Sequence, residues 1–279
     1  MNLNYNAPSS IRAFLENRGL SPLKKYGQHF LIDPAARERL LDALACPAGG
    51  LVWEVGPGLG AQTAGLLARG ARVRAFEIDR AFSSILIEFF GSNRDFCLVQ
   101  GDVLQTWPAA AAQDRDGPPP FFMGNLPYNI AGTLLGGLIE GGMLFTRMAV
   151  TVQKETAERL RARPGTSAYS SLSVLCAACY KVKPLCALGG AAFYPPPRVE
   201  SQALLLSLRE DRPALPPLFQ PLVRALFGAR RKTIRNNLDA WLGARAAADA
   251  LAAAGLDGSL RAERLSEEDF LRLAGALCK

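Results

Sequence analysis

The chain has 279 residues, 49% of them hydrophobic, and 32 Lys and Arg against 25 Asp and Glu give a formal charge of +7. This length suits one large domain with a small companion. No run of about 20 apolar residues reads as a membrane span, and the polar start MNLNYNAPSSIRAFLENRGL lacks the apolar centre of a secretory signal, so the expected location is the cytoplasm. The positive charge is compatible with a polyanionic partner, and the cysteines at 46, 97, 176, 179, 186 and 278 are expected to be reduced thiols.

Residues 1–32 read as an irregular arm with a basic turn at Lys24-Lys25. A helix then starts behind Asp33 as N-cap and Pro34 at the first helical position, with Leu40, Leu41 and Leu44 on its apolar face. Residues 51–55 read as a strand, followed by a glycine turn and a short helix to Arg69 that Gly70 stops. A strand over 72–78, a helix over 82–90 and a strand over 96–100 come next. The loop Pro118-Pro119-Pro120 leads to a strand over 121–124, and further strands are expected near 147–152, 172–181 and 202–208. This alternation predicts an α/β fold with a parallel sheet and helices on both faces. Prolines 213, 216 and 217 mark a linker, and the Ala- and Leu-rich remainder reads as a small all-α domain. The expected division is 1–209, arm included, and 210–279. Cys176 and Cys179 form a C-x-x-C, but on a strand residues three apart face opposite ways, and no second pair lies at zinc spacing. No metal is expected.

The glycine turn is Glu54-Val55-Gly56-Pro57-Gly58-Leu59-Gly60, between a strand and a helix. Gly56 and Gly58 let a ligand approach the backbone, and the helix N-terminus offers unpaired N–H groups. A dinucleotide site wants its third glycine one residue later. Glu77 ends the second strand, where a carboxylate can accept from both ribose hydroxyls, and Gly101-Asp102 ends the third, where Asp102 can accept from an adenine amino group. Together they outline a nucleoside pocket. The layout resembles the class I methyltransferases that use S-adenosyl-L-methionine, whose cofactor has no pyrophosphate.

Asn125-Leu126-Pro127-Tyr128 follows the fourth strand. An adenine amine is a poor nucleophile because its lone pair is delocalised into the ring. Acceptors on its two protons hold it pyramidal, so no strong base is needed. The Asn125 side-chain oxygen and the Leu126 or Pro127 carbonyl can supply them, Pro127 stiffens the loop, and Tyr128 offers a face to a flipped-out base. The tetrapeptide resembles the N6-adenine methyltransferases, whose fourth motif runs Asp, Asn or Ser, then Pro, Ile or Leu, then Pro, then an aromatic.

More narrowly, the chain resembles the ribosomal RNA adenine dimethyltransferase A family. The matching segments are residues 24–31 (KKYGQHFL), 54–60, 76–79 (FEID), 101–103, 125–128, 193–199 (FYPPPRV), 230–233 (RRKT) and 261–266 (RAERLS). The resemblance implies a Rossmann-like class I methyltransferase domain with a small helical C-terminal domain. It also implies methyl transfer from S-adenosyl-L-methionine to N6 of adjacent adenines of 16S ribosomal RNA in the small subunit, during ribosome assembly, by a monomer. It assigns His29, Leu31, Gly56, Glu77, Asp102 and Asn125 to the cofactor, and sets Phe193 over the target base opposite Tyr128. Ala191-Ala192 before Phe193 departs from related chains, which often carry bulkier residues there.

Arg224, Arg230, Arg231, Lys232 and Arg235 lie in a stretch free of acidic residues. On one helix, 224, 231 and 235 share a face and make a phosphate-binding stripe; Lys24 and Lys25 would extend it. Competing readings are the related methylases that confer macrolide resistance on the large subunit, which usually have a different arm and lack the 261–266 segment, and a DNA adenine methyltransferase, which would bring a target-recognition insert. A non-enzymatic binder would be expected to lose the carboxylates or Asn125, all of which this chain keeps.

Overall fold

The computed structural model describes residues 3–23, 26–114, 117–118 and 120–278. The chain divides into two compact units, Met1–Ala157 with Val182–Leu208, and Glu158–Lys181 with Arg209–Lys279. The single expected cut after residue 209 is therefore corrected, because Glu158–Lys181 groups with the tail. Hydrogen bonds explain this: Tyr169 Oη donates to the Leu265 carbonyl at 2.9 Å, and the Gly165 N–H to that of Glu263 at 2.7 Å.

The first unit carries a sheet of β2 (Leu51–Val55), β3 (Arg72–Glu77), β4 (Phe96–Gln100), β5 (Phe121–Asn125), β6 (Arg147–Gln153), β7 (Tyr180–Leu188) and β9 (Ser201–Leu208) in the order β4-β3-β2-β5-β6-β9-β7. The pairs from β4 through β6 are parallel, as alternation with helices requires. β9 runs antiparallel to β6, so the expectation of a parallel sheet holds for five strands and not for this one. Two short strands, β1 (Phe30–Leu31) and β8 (Phe193–Tyr194), pair separately and antiparallel. The helices are α1 (Pro8–Glu16), α2 (Pro34–Leu44), α3 (Ala61–Ala68), α4 (Arg80–Phe90), α5 (Val103–Asp114) and α6 (Ala131–Glu140), with α7 (Lys154–Arg161) following β6. Asp33 caps α2 by accepting from the Ala36 N–H at 3.1 Å. The arm is not irregular throughout: Ile11, Phe14 and Leu15 are spaced for one helix face, and all three are buried on α1.

The pleat sorts the sheet residues. Val52, Val73, Ala75, Met123, Ala149 and Ala203 pack with Leu40, Leu41 and Leu44 of α2 on one face. Trp53, alternate in β2, meets the Phe76 and Phe145 rings at centroid distances of 4.9 and 5.5 Å. The register sets Glu54 opposite Ala75 and Met123, so the two-residue period puts Glu54, Glu77 and Asn125 on the same face.

The second unit packs α8 (Ser171–Cys179) with α9 (Phe219–Gly228), α10 (Ile234–Leu242), α11 (Ala244–Ala254) and α12 (Glu267–Leu277). The strand expected at 172–181 is thus a helix as far as Cys179, because a short apolar run has no decisive period and Ser170 and Ser173 form a capping box. The opposite-face argument for Cys176 and Cys179 falls with it. Both thiols are buried, which pushes Cys176 well up and Cys179 to about 11, against the thiolate a metal needs. Among the described residues no group of three or more His, Cys, Asp and Glu could hold a metal ion, and no helix is long and apolar enough to cross a membrane.

Gly60 begins α3 at φ 83°, and a Cβ there would lie 2.4 Å from Phe90 Cε2. Gly60→Ala combines left-handed strain with overpacking and is expected to cost about 2–4 kcal/mol, measured by denaturant unfolding.

Candidate active site

A cleft of about 260 Å³ opens at the carboxyl ends of β2 to β5, lined by Gly56, Gly58, Glu77, Gly101, Asp102 and Asn125 and by Tyr26–Phe30 of the arm. Strand ends of an α/β sheet are where ligands bind. Gly58 has φ 56°, and a Cβ on it would come 3.0 Å from the Phe30 ring, so the turn and the arm approach closely only because a side chain is missing.

Glu77 is 5% exposed. Its Oε1 accepts from the Asp79 N–H at 2.9 Å and its Oε2 from the Gly58 N–H at 3.2 Å, which aligns the carboxylate along the glycine turn. Burial pushes its pKa up to about 7, against the pull of those backbone donors. Glu54 is also buried and raised to about 7, first by desolvation and further by the charge of Glu77, while Thr63 Oγ1 donates to it at 2.7 Å. Asp102 Oδ1 accepts from the Leu104 N–H at 2.9 Å at the start of α5.

Asn125 Nδ2 donates to the His29 carbonyl at 2.6 Å. A carbonyl can only accept, so the amide nitrogen faces it and Oδ1 is left as the acceptor. His29 Nδ1 lies 2.6 Å from the Pro195 carbonyl, so by the same reasoning Nδ1 carries the ring proton. The next residues divide their roles. The Leu126 N–H donates to the Thr151 carbonyl at 3.0 Å, and the Pro127 carbonyl accepts from Ile130 and Ala131, each at 3.1 Å, as α6 begins. That occupies the Pro127 carbonyl within the chain.

Four expected residues, Leu31, Leu126, Tyr128 and Phe193, do not line this cleft. Phe193 is 2% exposed, packs in the core with Leu31, Ala36 and Leu40, and does not line the cleft. The segment after it reaches the site through the Pro195 carbonyl on His29. Tyr128 is half-buried, stacks on the His29 ring at 5.9 Å and shares a 2.7 Å hydrogen bond with Ser201 Oγ, so the His29 ring already covers one of its faces. Leu31 lines a smaller recess behind the cleft. Gln28 was not singled out by the sequence, yet its Nε2 donates to Asp79 Oδ2 at 3.0 Å and its Oε1 accepts from the Leu23 N–H at 2.6 Å, tying the arm down beside Glu77. A polar residue amid the aromatics of 24–31 was the available signal.

Lys24 and Lys25 lie outside the described residues. The stripe at 224–235 is not one helix: α9 ends at Gly228, and α10 restarts at Ile234 behind the N-cap Thr233. Arg230 donates to the Tyr169 carbonyl at 2.9 Å, and Arg235 pairs with Asp239 at 2.9 Å. Arg224, Arg231 and Lys232 are exposed, the last two in the turn.

The strand order and strand-end cleft define a Rossmann-like, class I methyltransferase fold. A dimethyladenosine transferase from Plasmodium falciparum superposes with a TM-score of 0.70 at 24% identity, over 86% of this chain and 94% of that one. The 23S rRNA methyltransferase ErmE superposes at 0.62 and 24%, over 89% and 99%. The family model for ribosomal RNA adenine dimethylases matches residues 21–279, and the chain belongs to that family. A ribosomal RNA small subunit methyltransferase A of Treponema denticola is 43% identical over 97% of this chain and 94% of its own. One from Borrelia garinii is 35% identical over 99% and 96%.

Glu54 and Glu77 have folded-state values near 7 against an ordinary 4.5, so between those limits the folded protein binds more protons than the unfolded chain. Stability must therefore fall as pH rises through that window. Thermal unfolding from pH 5 to 8 should show a declining Tm, less steep in Glu77→Gln.

Proposed function

We propose that the cleft binds S-adenosyl-L-methionine and that the enzyme transfers methyl groups to N6 of adjacent adenines of small-subunit (16S) ribosomal RNA, giving N6,N6-dimethyladenosines during ribosome assembly. The observation that carries this reading is the pinned Asn125 amide, whose acceptor oxygen is left at a cleft that also holds Glu77 and Asp102. Two carboxylates at successive strand ends suit the ribose and adenine of a nucleoside, and the family supplies the methyl-transfer chemistry. The small-subunit relatives favour that substrate over the large-subunit alternative.

The bound cofactor supplies a methyl group on a sulfonium, electrophilic enough for a weak amine. The chain's own part is to prepare that amine. Asn125 Oδ1 and the Leu126 carbonyl would accept hydrogen bonds from its two N–H groups and hold the lone pair out of the ring plane, the proton shed after methylation passing to water, and the His29 carbonyl keeps the Asn125 amide from turning over. These contacts strengthen as nitrogen develops positive charge, so they stabilise the transition state more than the ground state. Tyr128 and Phe193 contribute the packing behind this loop and β1. Tritiated methyl transfer onto unmethylated small and large subunits tests the substrate, and incorporation into the large subunit alone would overturn it.

Asn125→Ala should lower the single-turnover rate by roughly 100-fold or more, while RNA affinity changes little. Arg231→Ala with Lys232→Ala should weaken small-subunit binding and reduce the slope of log K against log salt by about 0.7–0.9 per lost phosphate contact, leaving cofactor affinity unchanged. A wild-type slope would show that the turn does not meet phosphate.

A further inference from the structure

Glu77 and Asn125 stand at the ends of β3 and β5, with β2 between them. A run of hydrogen bonds nevertheless leads from one to the other through the arm. The Asp79 N–H donates to Glu77 Oε1 at 2.9 Å. Asp79 is itself 7% exposed, and its two carboxylate oxygens divide their work: Oδ1 accepts from the Ala81 N–H at 2.8 Å and caps α4, and Oδ2 accepts from Gln28 Nε2 at 3.0 Å. Gln28 Oε1 accepts from the Leu23 N–H at 2.6 Å. One residue further on, the His29 carbonyl accepts from the Asn125 amide at 2.6 Å.

Both ends of the Gln28 amide are therefore engaged, and their polarity is fixed. Turned over, the amide would set donor against donor at Leu23 and acceptor against acceptor at Asp79. A hydrogen bond to a carboxylate is stronger than one between neutral groups, which suits this one to hold a backbone carbonyl nearby. β1 begins only at Phe30, so ahead of His29 the hold on the arm falls to Gln28. Just before it, Gly27 takes φ 62°, and a Cβ there would lie 3.5 Å from Pro127 Cβ, so the arm passes the Asn125–Tyr128 loop at contact distance.

We propose that Gln28 is a positioning residue for methyl transfer: through Asp79 it ties the His29 carbonyl, and with it the Asn125 acceptor, to the strand end that carries Glu77. The assignment rests on the reading of the cleft as an S-adenosyl-L-methionine site with Asn125 at the target amine. It makes the nucleoside site and the amine site one linked unit. Gln28 lines the cleft, but its amide is engaged within the chain, so its loss acts on the rate of transfer and not on the hold on the cofactor.

The experiment is a polarity swap: Gln28→Glu, Asp79→Asn and the double variant. Each is measured by single-turnover methyl transfer onto unmethylated small subunits at saturating cofactor, and by calorimetric titration with S-adenosylhomocysteine. Gln28→Glu sets carboxylate against carboxylate, and Asp79→Asn sets amide N–H against amide N–H. Each single variant should lower the rate by about tenfold, the scale of one charge-assisted hydrogen bond. In the double variant the Asn amide can donate to the new carboxylate while its oxygen still caps α4, and the rate should return to within about threefold of wild type. S-adenosylhomocysteine affinity should stay within about threefold throughout, which also reports an intact fold. Unchanged rates in both single variants overturn the assignment. A double variant no faster than the slower single variant overturns it as well, because Gln28 then does not act through Asp79. A parallel loss of rate and affinity in Gln28→Glu makes Gln28 a cofactor ligand, and equally overturns it. A wild type that does not bind S-adenosylhomocysteine overturns the reading of the cleft itself.

Discussion

The site depends on one hydrogen bond between remote parts of the chain, from Asn125 Nδ2 to the carbonyl of His29. Strand β5 fixes the Asn125 backbone, but an amide side chain at a strand end can turn over, and only one of its faces can accept a proton. The arm supplies the constraint that chooses the face. Everything that positions the arm therefore positions the acceptor: the β1–β8 pairing, the Gln28 bond to Asp79, and the Pro195 carbonyl on the His29 ring. The proposed chemistry, which uses no strong base, would place this demand on the scaffold, since a misplaced acceptor has no basicity to compensate for its geometry.

A second constraint is electrostatic. Glu54 and Glu77 are carried on the same face of adjacent strands, both buried, and the charge of Glu77 adds to the cost of ionising Glu54. Hydrogen bonds from Thr63, Gly58 and Asp79 offset part of that cost. Buried carboxylates of this kind are seldom retained for stability. They hold stored unfavourable energy that a ligand bearing hydroxyl or ammonium donors can release on binding.

The parts of the fold with strong local signals were legible in the sequence. Asp33-Pro34, the glycine turn and the strand-end carboxylates each combine a residue type with a position that local chemistry nearly dictates. The departures occur where the deciding contact is distant. Leu172–Cys179 is apolar in either conformation, and its helix is settled by the Ser170–Ser173 cap and by the tail helices it packs with. The basic stretch looked continuous because a turn of Arg, Arg and Lys has no Gly or Pro inside it, and Gly228 lies just ahead. Phe193 lies beside the site in sequence logic but under it in space, since its strand pairs with β1 and turns the ring into the core. Gln28 carries no motif of its own, and its role follows only from what stands opposite.

The bonds that assemble the site also span long stretches of chain. Asn125 and His29 are 96 residues apart, His29 and Pro195 are 166 apart, and Arg12 reaches Tyr194 across 182. Closing such loops is slow to be repaid during folding, because entropy is lost before the contact is gained. The parallel strands and their helices can consolidate from nearer neighbours, with the arm arriving afterwards. An opening confined to the arm would take the His29 carbonyl from Asn125 while the pairing of β5 with β2 and β6 stays whole. A protein built in this way can lose its catalytic geometry without unfolding, and can recover it without refolding.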